Sequence, residues 1–348
     1  MNEEYGMKLL TCVVPCYNSA AYMERAVDSL LSGGEEMEIL IVNDGSKDAT
    51  GEIADRLAKE HPGVVFAHHQ ENGGHGSAIN YGIQNGTGLF FKVLDSDDRV
   101  IKENMPGLMD LLRGIAGSDQ APDMIMHDYV YDNPDRENVF TVSYRGRMKP
   151  DTAVTWEETR PFHIWNQFII HCLIYRTQFL RDIGLKLPEH IFYDDNIYIY
   201  RPLAHTKRIL YHPHTLYGYY VGRSDQSVND KVILSRLDQV TSIAKQMITS
   251  YKMEELNKLP KHLKQHMINN CCGQLFTTSS LQFIQNDDVS RAMNKDLWDT
   301  IRNYDPELYR VLRRNPLGRM TCLPGRLGQL ILIGMYRFGQ KLMHFKAK

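Results

Sequence analysis

The sequence lacks several features that mark specialised classes of protein. Its 40 basic and 42 acidic residues give a formal net charge of −2, so no overall positive charge would attract nucleic acid. The six cysteines form no paired CxxC units with zinc-site spacing, which favours reduced thiols over a zinc site. There is no internal repeat and no low-complexity tract. The composition is that of a globular protein without nucleic-acid partners, so its function must be sought in local motifs.

Long hydrophobic runs are also missing. No stretch reaches the roughly 18–20 uncharged apolar residues that span a bilayer. The N-terminal segment MNEEYGMKLL is acidic and has no basic start followed by an apolar core, so we predict no signal peptide. Acidic residues are absent after Glu307, where nine lysine and arginine residues follow without a counter-charge. We therefore predict a cytoplasmic protein with an unusually basic C-terminal end.

The N-terminal half is built from apolar segments that alternate with helical ones. Each apolar segment is short and partly β-branched, which is typical of a buried strand. Strands alternating with helices predict βαβ units and an α/β fold with a doubly wound, mostly parallel sheet. Ligands of such sheets bind at the carboxyl ends of the strands, where the polar clusters of this sequence fall. The four predicted strands lie at 8–15, 37–46, 64–70 and 89–98.

Further along, the pattern changes. The segment FIIHCLIYR at 168–176 and the segment ILYHPHTLYGYYV at 209–221 are each predicted to be a strand. From about 230 to 316 the spacing of apolar residues predicts helices.

The motif LDSDD at 94–98 follows directly on the fourth predicted strand. Its three carboxylates repel one another unless a cation is present. Asp95 and Asp97 share one side of an extended segment, so both can face a single divalent ion and the phosphate oxygens bound to it. For this motif alone, a solvated acidic turn is the alternative.

Two further motifs follow strands. In VNDGSKDAT at 42–50, the carboxylate of Asp44 can accept a hydrogen bond from the imide of a uracil ring or from a ribose hydroxyl. The alternative is an ordinary turn in which Asp48 starts the next helix. The glycine-rich loop ENGGHGSAINYGI at 71–83 is similar to a phosphate cradle, although it lacks the P-loop lysine and the dinucleotide spacing. Within this loop His75 can reach a phosphate, and a plain flexible loop is the alternative.

Taken in order, PCYNS at 15–19 and the three motifs above resemble the family 2 glycosyltransferases, which have a GT-A fold. The stretch 174–203 is similar to the segment of the family that leads to an acidic pair of residues, here Asp194–Asp195. The stretch 217–227 is similar to the family's closing segment. The resemblance covers roughly residues 8–227 and implies transfer of a sugar from a nucleotide-sugar donor, with a UDP-sugar favoured.

The resemblance also implies a role for each matching residue. Pro15, Tyr17 and Asn18 would form the wall of the nucleotide site. Asp44 would contact the base and Asp95 the ribose, and Gly74 and Asn80 would contact the rest of the donor. Asp97 would ligate Mn²⁺ or Mg²⁺ bound to the diphosphate. Asp195 matches the aspartate assigned as catalytic base, and a single base implies direct displacement with inversion.

Two positions depart from the family's pattern. Asp194 stands where the family usually has glutamate, which keeps the charge but shortens its reach. Ile79 stands where many members carry an arginine that helps to hold the donor. The identity of the donor sugar and the role of Asp194 are therefore left open by the sequence.

The C-terminal segment 326–345 is apolar but interrupted by Arg337 and Lys341. Such a basic amphipathic helix is predicted to lie in the headgroup region of an anionic membrane. A helix packed on the protein's own core is the alternative. The predicted location is therefore the inner face of the plasma membrane, and the acceptor is a cell-surface glycan or its lipid-linked precursor.

The predicted organisation has three parts: a GT-A nucleotide-sugar domain at 1–227, a helical region at 228–316, and a membrane-associating tail at 317–348. Two rival functions remain at this stage. A sugar-nucleotide pyrophosphorylase would also bind nucleotides through a metal, but a glycine- and arginine-rich signature would stand where PCYNS does. An inactive nucleotide-binding membrane scaffold would not need the four aspartates to be retained together.

Overall fold

The structure is a computed structural model that describes residues 6–118, 121–132, 140–162, 168–220 and 230–346. The chain divides into two compact units. The first comprises 1–160, 168–198 and 205–221, and the second comprises 161–167, 199–204 and 222–348. The predicted boundary between 227 and 228 lies outside the described residues and stays a prediction. The same holds for the predicted closing segment beyond Tyr220.

The first unit is built on a single mixed sheet. Its strands are β1 (Leu10–Cys16), β2 (Met37–Asp44), β3 (Val65–Gln70), β4 (Phe90–Val93), β5 (Arg99–Val100), β6 (Met124–Asp132), β7 (Phe140–Val142), β8 (Val154–Thr155), β9 (Leu173–Arg176) and β10 (Arg208–Tyr220). Their order across the described sheet is β3-β2-β1-β4-β9-β6-β10-β5, with β7 beside β6 and β8 beside β10.

The pairing follows the predicted doubly wound pattern. β1 runs parallel to both β2 and β4, β2 runs parallel to β3, and β6 runs parallel to β10. β9 is antiparallel to both of its neighbours, β4 and β6. β1 and β2 are buried along their whole length, as expected for parallel strands covered on both faces by helices. The α/β fold predicted from the sequence is confirmed. The strands β3, β2, β1 and β4 form the parallel part of the sheet, whereas β5, β7 and β8 also pair antiparallel to their neighbours.

The helices form the second layer of the first unit and nearly all regular structure of the second. They are α1 (Met23–Leu30), α2 (Thr50–Glu60), α3 (His75–Asn85), α4 (Met105–Ile115), α5 (Thr177–Asp182), α6 (Asp195–Leu203), α7 (Asp230–Ser235), α8 (Leu237–Ile248), α9 (Met253–Asn257), α10 (Lys261–Gln285), α11 (Asp288–Tyr304), α12 (Pro306–Arg314), α13 (Pro316–Met320) and α14 (Gly325–Lys346). Helices thus occupy the region where the sequence predicts them.

One predicted strand is only partly formed. The segment 168–176 is extended over Leu173–Arg176, but Ile170–Cys172 form a 3₁₀ turn instead. A backbone hydrogen bond closes this turn: the Cys172 N–H donates to the Ile169 carbonyl oxygen at 3.1 Å. The turn places His171 just before β9, and this position matters for the site.

Packing around the sheet is close. A Cβ at Gly82 of α3 would lie 2.9 Å from side-chain atoms of Val13 in β1, so only glycine allows this approach of helix and strand. Trp156 is buried, and its Nε1–H donates to Thr206 Oγ1 at 3.0 Å. Trp156 is therefore a core residue of the first unit.

None of the helices in the described part of the chain combines the length and apolar content that crossing a bilayer requires.

Candidate active site

The motifs that follow β1, β2 and β4 meet at one edge of the sheet. The Asn18 N–H donates to Ser46 Oγ at 3.0 Å, and the Lys47 N–H donates to Asn18 Oδ1 at 2.9 Å. The hydroxyls of Ser19 and Ser96 lie 2.8 Å apart. PCYNS, VNDGSKDAT and LDSDD are therefore in hydrogen-bond contact, as the carboxyl ends of neighbouring parallel strands should be.

The residues predicted to form the nucleotide wall differ in exposure. Pro15 is buried within β1, whereas the side chain of Tyr17 is 51% exposed just beyond the strand. Asn18 is also exposed and has a positive φ of 51°. Tyr17 and Asn18 are thus accessible to a ligand at this edge, and their contact with a nucleotide stays a prediction.

Asp44 ends β2 and is only 3% exposed. Its Oδ1 accepts from the Gly73 N–H at 2.8 Å and from Gln70 Nε2 at 2.7 Å. Its Oδ2 accepts from the Gly74 N–H at 2.8 Å. Both carboxylate oxygens thus hold the glycine-rich loop in place. The predicted contact of Asp44 with a nucleobase is an additional role and stays a prediction.

Asn80 and Gly74, both predicted to contact the donor, lie against the segment that precedes the acidic pair. Asn80 Nδ2 donates to the Leu187 carbonyl oxygen at 3.0 Å, and the Leu187 N–H donates to Asn80 Oδ1 at 2.8 Å. Gly74 has a φ of +87°, and a Cβ there would lie 3.2 Å from the His190 nitrogen. The sequence predicts neither of these contacts with the 187–190 segment.

His75 begins α3 and stands between two carboxylates. Its Nδ1 lies 3.1 and 3.2 Å from the two oxygens of Asp194, and its Nε2 lies 3.3 Å from Asp95 Oδ1. The Asp194 side chain is 2% exposed and that of His75 is 29% exposed. One imidazole therefore joins the LDSDD motif to the acidic pair, although Asp95 and Asp194 are 99 residues apart in the sequence.

His75, Asp95 and Asp194 form a trio whose opposite charges stabilise one another. Burial disfavours the imidazolium, but the charges of Asp194 and Asp95 outweigh it and hold the pKa of His75 well above its usual range. Burial likewise disfavours the ionised form of Asp95, yet the hydrogen bond and charge of His75 lower the pKa of Asp95 to about 2. In its protonated form His75 donates from both ring nitrogens, one to Asp194 and one to Asp95.

Asp98 is the last residue of the LDSDD motif and is buried. It is 1% exposed and accepts from the Tyr217 hydroxyl at 2.6 Å and from the Tyr220 N–H at 2.7 Å. Burial and the charges of Asp95 and Asp97 raise the pKa of Asp98 well above its usual range. The main-chain oxygen of Asp97 accepts from Arg25 at 2.7 Å.

A group of side chains in the described residues is arranged as cation ligands usually are. One ligand atom each from Asp95, Asp98 and His171 lie within 4.8 Å of one another, and Asp97 is not part of this group. His171 is 7% exposed, and its Nδ1 has no hydrogen-bond partner in the described structure. Burial lowers the pKa of His171 to about 4, which keeps the imidazole in the neutral form that binds metals. Two carboxylates and a neutral imidazole fit a divalent cation such as Mn²⁺.

Lys92 lies beneath this group in β4 and is 1% exposed. Its ammonium group donates to the His171 carbonyl oxygen at 2.8 Å and lies 2.9 Å from His127 Nε2. Burial lowers the pKa of Lys92 to about 8. Sequence reasoning missed this residue, although one lysine inside the apolar run LFFKVL was a visible signal. Its contacts indicate that it fixes the 3₁₀ turn that carries His171.

Asp195, the predicted base, begins α6 directly after the buried Asp194. Its Oδ1 accepts from Asn196 Nδ2 at 3.2 Å. Burial and the neighbouring charge of Asp194 raise the pKa of Asp195 to about 6. A carboxylate with a pKa near 6 is ionised at neutral pH and is a better proton acceptor than an ordinary aspartate.

Comparison with known proteins relates part of this chain to a known family. Residues 11–169 match the family described as Glycosyl transferase family 2. An uncharacterised glycosyltransferase of Rickettsia felis is 39% identical over 112 residues, which are 32% of this chain and 18% of that protein. Glycosyltransferase GlyG of Streptococcus pneumoniae is 29% identical over 217 residues, or 56% of this chain and 71% of that protein. The chain thus spans less than a fifth of the Rickettsia relative's length.

The solved structure of residues 1–349 of TarS from S. aureus has a similar fold, with a TM-score of 0.65 at 18% identity. The alignment covers 95% of this chain and 92% of the TarS chain. TarS 1–349 has also been solved in complex with UDP-GlcNAc, and that structure matches with a TM-score of 0.63 at 19% identity. Residues 11–169 therefore match glycosyltransferase family 2, and the fold is of the GT-A type, as the sequence predicts.

Proposed function

We propose that this protein transfers a sugar, with inversion, from a nucleoside-diphosphate donor to an acceptor hydroxyl. The observation that carries the proposal is the carboxylate cluster around His75, because it brings donor-side Asp95 and the acidic pair to one edge of the sheet. The complex of TarS with UDP-GlcNAc supports a UDP-sugar as donor. The basic C-terminal helix supports a cell-surface glycan, or its lipid-linked precursor, as acceptor.

The proposed reaction is a single displacement. Asp195 accepts the proton of the acceptor hydroxyl, and the hydroxyl oxygen forms a bond to the anomeric carbon. The bond from that carbon to the diphosphate oxygen breaks, and the diphosphate leaves with the electron pair. Tyr17 and Asn18 bind the nucleotide at the end of β1. With one base and no covalent intermediate on the protein, the configuration at the anomeric carbon inverts.

A divalent cation completes the proposed site. Asp95, Asp98 and His171 would hold it, together with Asp97 from the same turn, which the family resemblance assigns as its ligand. When bound, Mn²⁺ or Mg²⁺ supplies Lewis-acid stabilisation of the leaving diphosphate. Within the protein, His75 and Lys92 provide positive charge beside these carboxylates.

A panel of nucleotide sugars tests the proposed activity. Purified full-length protein is incubated with each donor and with Mn²⁺, Mg²⁺ or chelator, and release of nucleoside diphosphate is followed. We expect hydrolysis of at least one UDP-sugar that stops when the metal is chelated. An inactive scaffold would bind UDP without hydrolysing any donor, and a pyrophosphorylase would release the sugar phosphate when given pyrophosphate.

The C-terminal helix α14 has two faces. One face is packed, with Leu332 only 1% exposed. The other carries exposed apolar and basic side chains without an acidic residue. They are Leu327, Leu330, Ile331, Met335, Phe338, Arg326, Arg337 and Lys341. We propose that this face, the α14 surface, lies on an anionic membrane at the cytoplasmic side, because apolar contact and positive charge coincide there.

Replacing the three cations of the α14 surface should weaken membrane binding strongly. Each cation near an anionic surface contributes about 1 kcal/mol, so Arg326→Gln/Arg337→Gln/Lys341→Gln should bind anionic vesicles roughly 10²-fold more weakly. Flotation with vesicles that contain phosphatidylserine measures this effect. Wild-type binding should also fall in high salt, because screening shortens the reach of surface charge.

A second variant tests the apolar contribution. Leu327→Ser/Phe338→Ser should float less than wild type, whereas Val289→Ser on α11, which is also an exposed apolar residue, should float equally. Flotation of all variants to the wild-type extent would make α14 a purely structural helix.

A further inference from the structure

The glycine-rich loop and the segment before the acidic pair are pinned to each other at several points. The His190 N–H donates to the Gly73 carbonyl oxygen at 2.6 Å. A Cβ at Gly76 would lie 2.4 Å from the Pro188 carbonyl oxygen, so the two backbones are in direct contact there. The segment also contains two non-glycine residues with positive φ, His190 at 55° and Tyr193 at 69°. Such backbone persists only where the surroundings determine it strongly.

Asn80 adds a further contact between α3 and this segment. Its carboxamide donates to and accepts from the same residue, Leu187, and the side chain is 6% exposed. Every hydrogen bond recorded for this side chain goes to the backbone that leads to Asp194. Asn80 therefore anchors the start of that segment to α3.

His75 anchors the end of the segment and reaches further. One ring nitrogen faces Asp194, the residue directly before the predicted base, and the other faces Asp95 on the donor side. A histidine that only stabilised the loop would need the contact with Asp194 alone. The second contact connects the segment of the base to the turn that binds the donor.

From this arrangement we infer that His75 is a positioning residue that couples the donor site to the catalytic base, by holding Asp194 and Asp95 at once. The inference rests on the proposed function, since it assigns roles within the same site. It predicts that losing one contact of His75 harms donor binding and that losing the other harms proton transfer. Neither sequence similarity nor the predicted site residues assign this role to His75.

Two substitutions separate the contacts. In His75→Asn the side-chain amide takes the place of Nδ1, so the contact with Asp194 is kept and that with Asp95 is lost. In His75→Gln the amide takes the place of Nε2, so the contact with Asp95 is kept and that with Asp194 is lost. Both variants replace the imidazole by a neutral amide, so any difference between them reports on which contact is kept.

Calorimetry with UDP and Mn²⁺ measures donor-side binding, and hydrolysis of a nucleotide sugar measures the base step with water in place of the acceptor. We expect His75→Asn to bind UDP about tenfold more weakly, with a smaller loss of kcat. We expect His75→Gln to bind UDP close to wild type and to lose about 10–100-fold in kcat. Adding Asp194→Asn to His75→Gln should cost little more, because both changes remove the same contact.

Equal effects of the two substitutions on UDP affinity and on kcat would overturn the inference, as would full additivity with Asp194→Asn. Melting temperatures of all variants identify any that lose their fold, and the comparison is then made with His75→Asn and His75→Gln at a temperature where both are folded. His69→Gln is the matched control, since His69 also pairs with an aspartate, Asp55, but outside the trio. It should leave UDP affinity and kcat unchanged.

The failure of the proposed function would be seen separately. If wild-type protein bound UDP but hydrolysed no nucleotide sugar, the proposed transferase would fail. In that case UDP affinity would still test the coupling, because only His75→Asn should lower it. If wild type were active and the variants equal to it, the coupling alone would fail.

Discussion

Asp195→Asn is expected to lower the rate of sugar transfer by about 10²–10⁴, the usual range for loss of a general base. Nucleotide-sugar binding should stay close to wild type, because Asp195 belongs to the acidic pair and not to the strand ends that we propose as the donor site. Asparagine has nearly the same shape but accepts no proton at neutral pH. Steady-state kinetics with the active donor, and calorimetry with UDP, measure the two quantities.

The pH dependence of kcat is a second test of the role of Asp195. Burial and the charge of Asp194 raise the pKa of Asp195 to about 6, and a base acts only in its ionised form. Wild-type kcat should therefore fall as pH decreases below about 6, where Asp195 becomes protonated. In Asp195→Asn this acid limb should be lost from the residual activity.

Asp194 provides the comparison, because it carries the same charge one residue away. Its side chain is buried against His75, so we expect Asp194→Asn to cost about 10–100-fold through displacement of the base. Asp182→Asn, at an exposed position of α5, should have no effect. Transfer that survives in Asp195→Asn but is lost in Asp194→Asn would show that the base is Asp194.

Much of the donor side was predictable from the sequence, because it depends on local pattern. Short apolar strands end in PCYNS, VNDGSKDAT and LDSDD, and the carboxyl ends of neighbouring parallel strands meet at one edge by the rules of α/β sheets. The structure brings these motifs into contact, as shown by the hydrogen bond of Asn18 with Ser46. No knowledge of distant contacts is needed for this prediction.

The connection between the donor side and the acidic pair was not predictable in the same way. His75 and Asp194 are 119 residues apart, and Asn80 and Leu187 are 107 apart. Nothing in local periodicity links residues at such separations. The apolar pattern at 168–176 predicts a strand, but it does not indicate that β9 pairs antiparallel with β4 and β6. His171 was missed for a further reason, since its apolar surroundings predict a strand where the backbone forms a 3₁₀ turn.

Asp97→Ala is expected to weaken nucleotide-sugar binding in the presence of Mn²⁺ and to reduce turnover on the order of 10³-fold. A cation that neutralises the leaving diphosphate contributes several kcal/mol to the transition state, and each 1.36 kcal/mol is tenfold in rate. The effect should appear as a higher Mn²⁺ concentration for half-maximal activity. Asp110→Ala, which removes an exposed aspartate of α4, is the control and should leave the Mn²⁺ requirement unchanged.

Measuring activity as a function of Mn²⁺ concentration also decides which side chains hold the cation. Asp97 is the ligand implied by family resemblance, whereas the structure groups Asp95, Asp98 and His171. We expect His171→Gln to raise the Mn²⁺ requirement by about 10–100-fold, since its buried imidazole would lose its place in the group. If His171→Gln had this effect while Asp97→Ala bound donor like wild type, with or without chelator, Asp97 would not be a ligand. The cation would then lie deeper in the turn, between the carboxylate of Asp95 and the 3₁₀ turn that Lys92 holds in place.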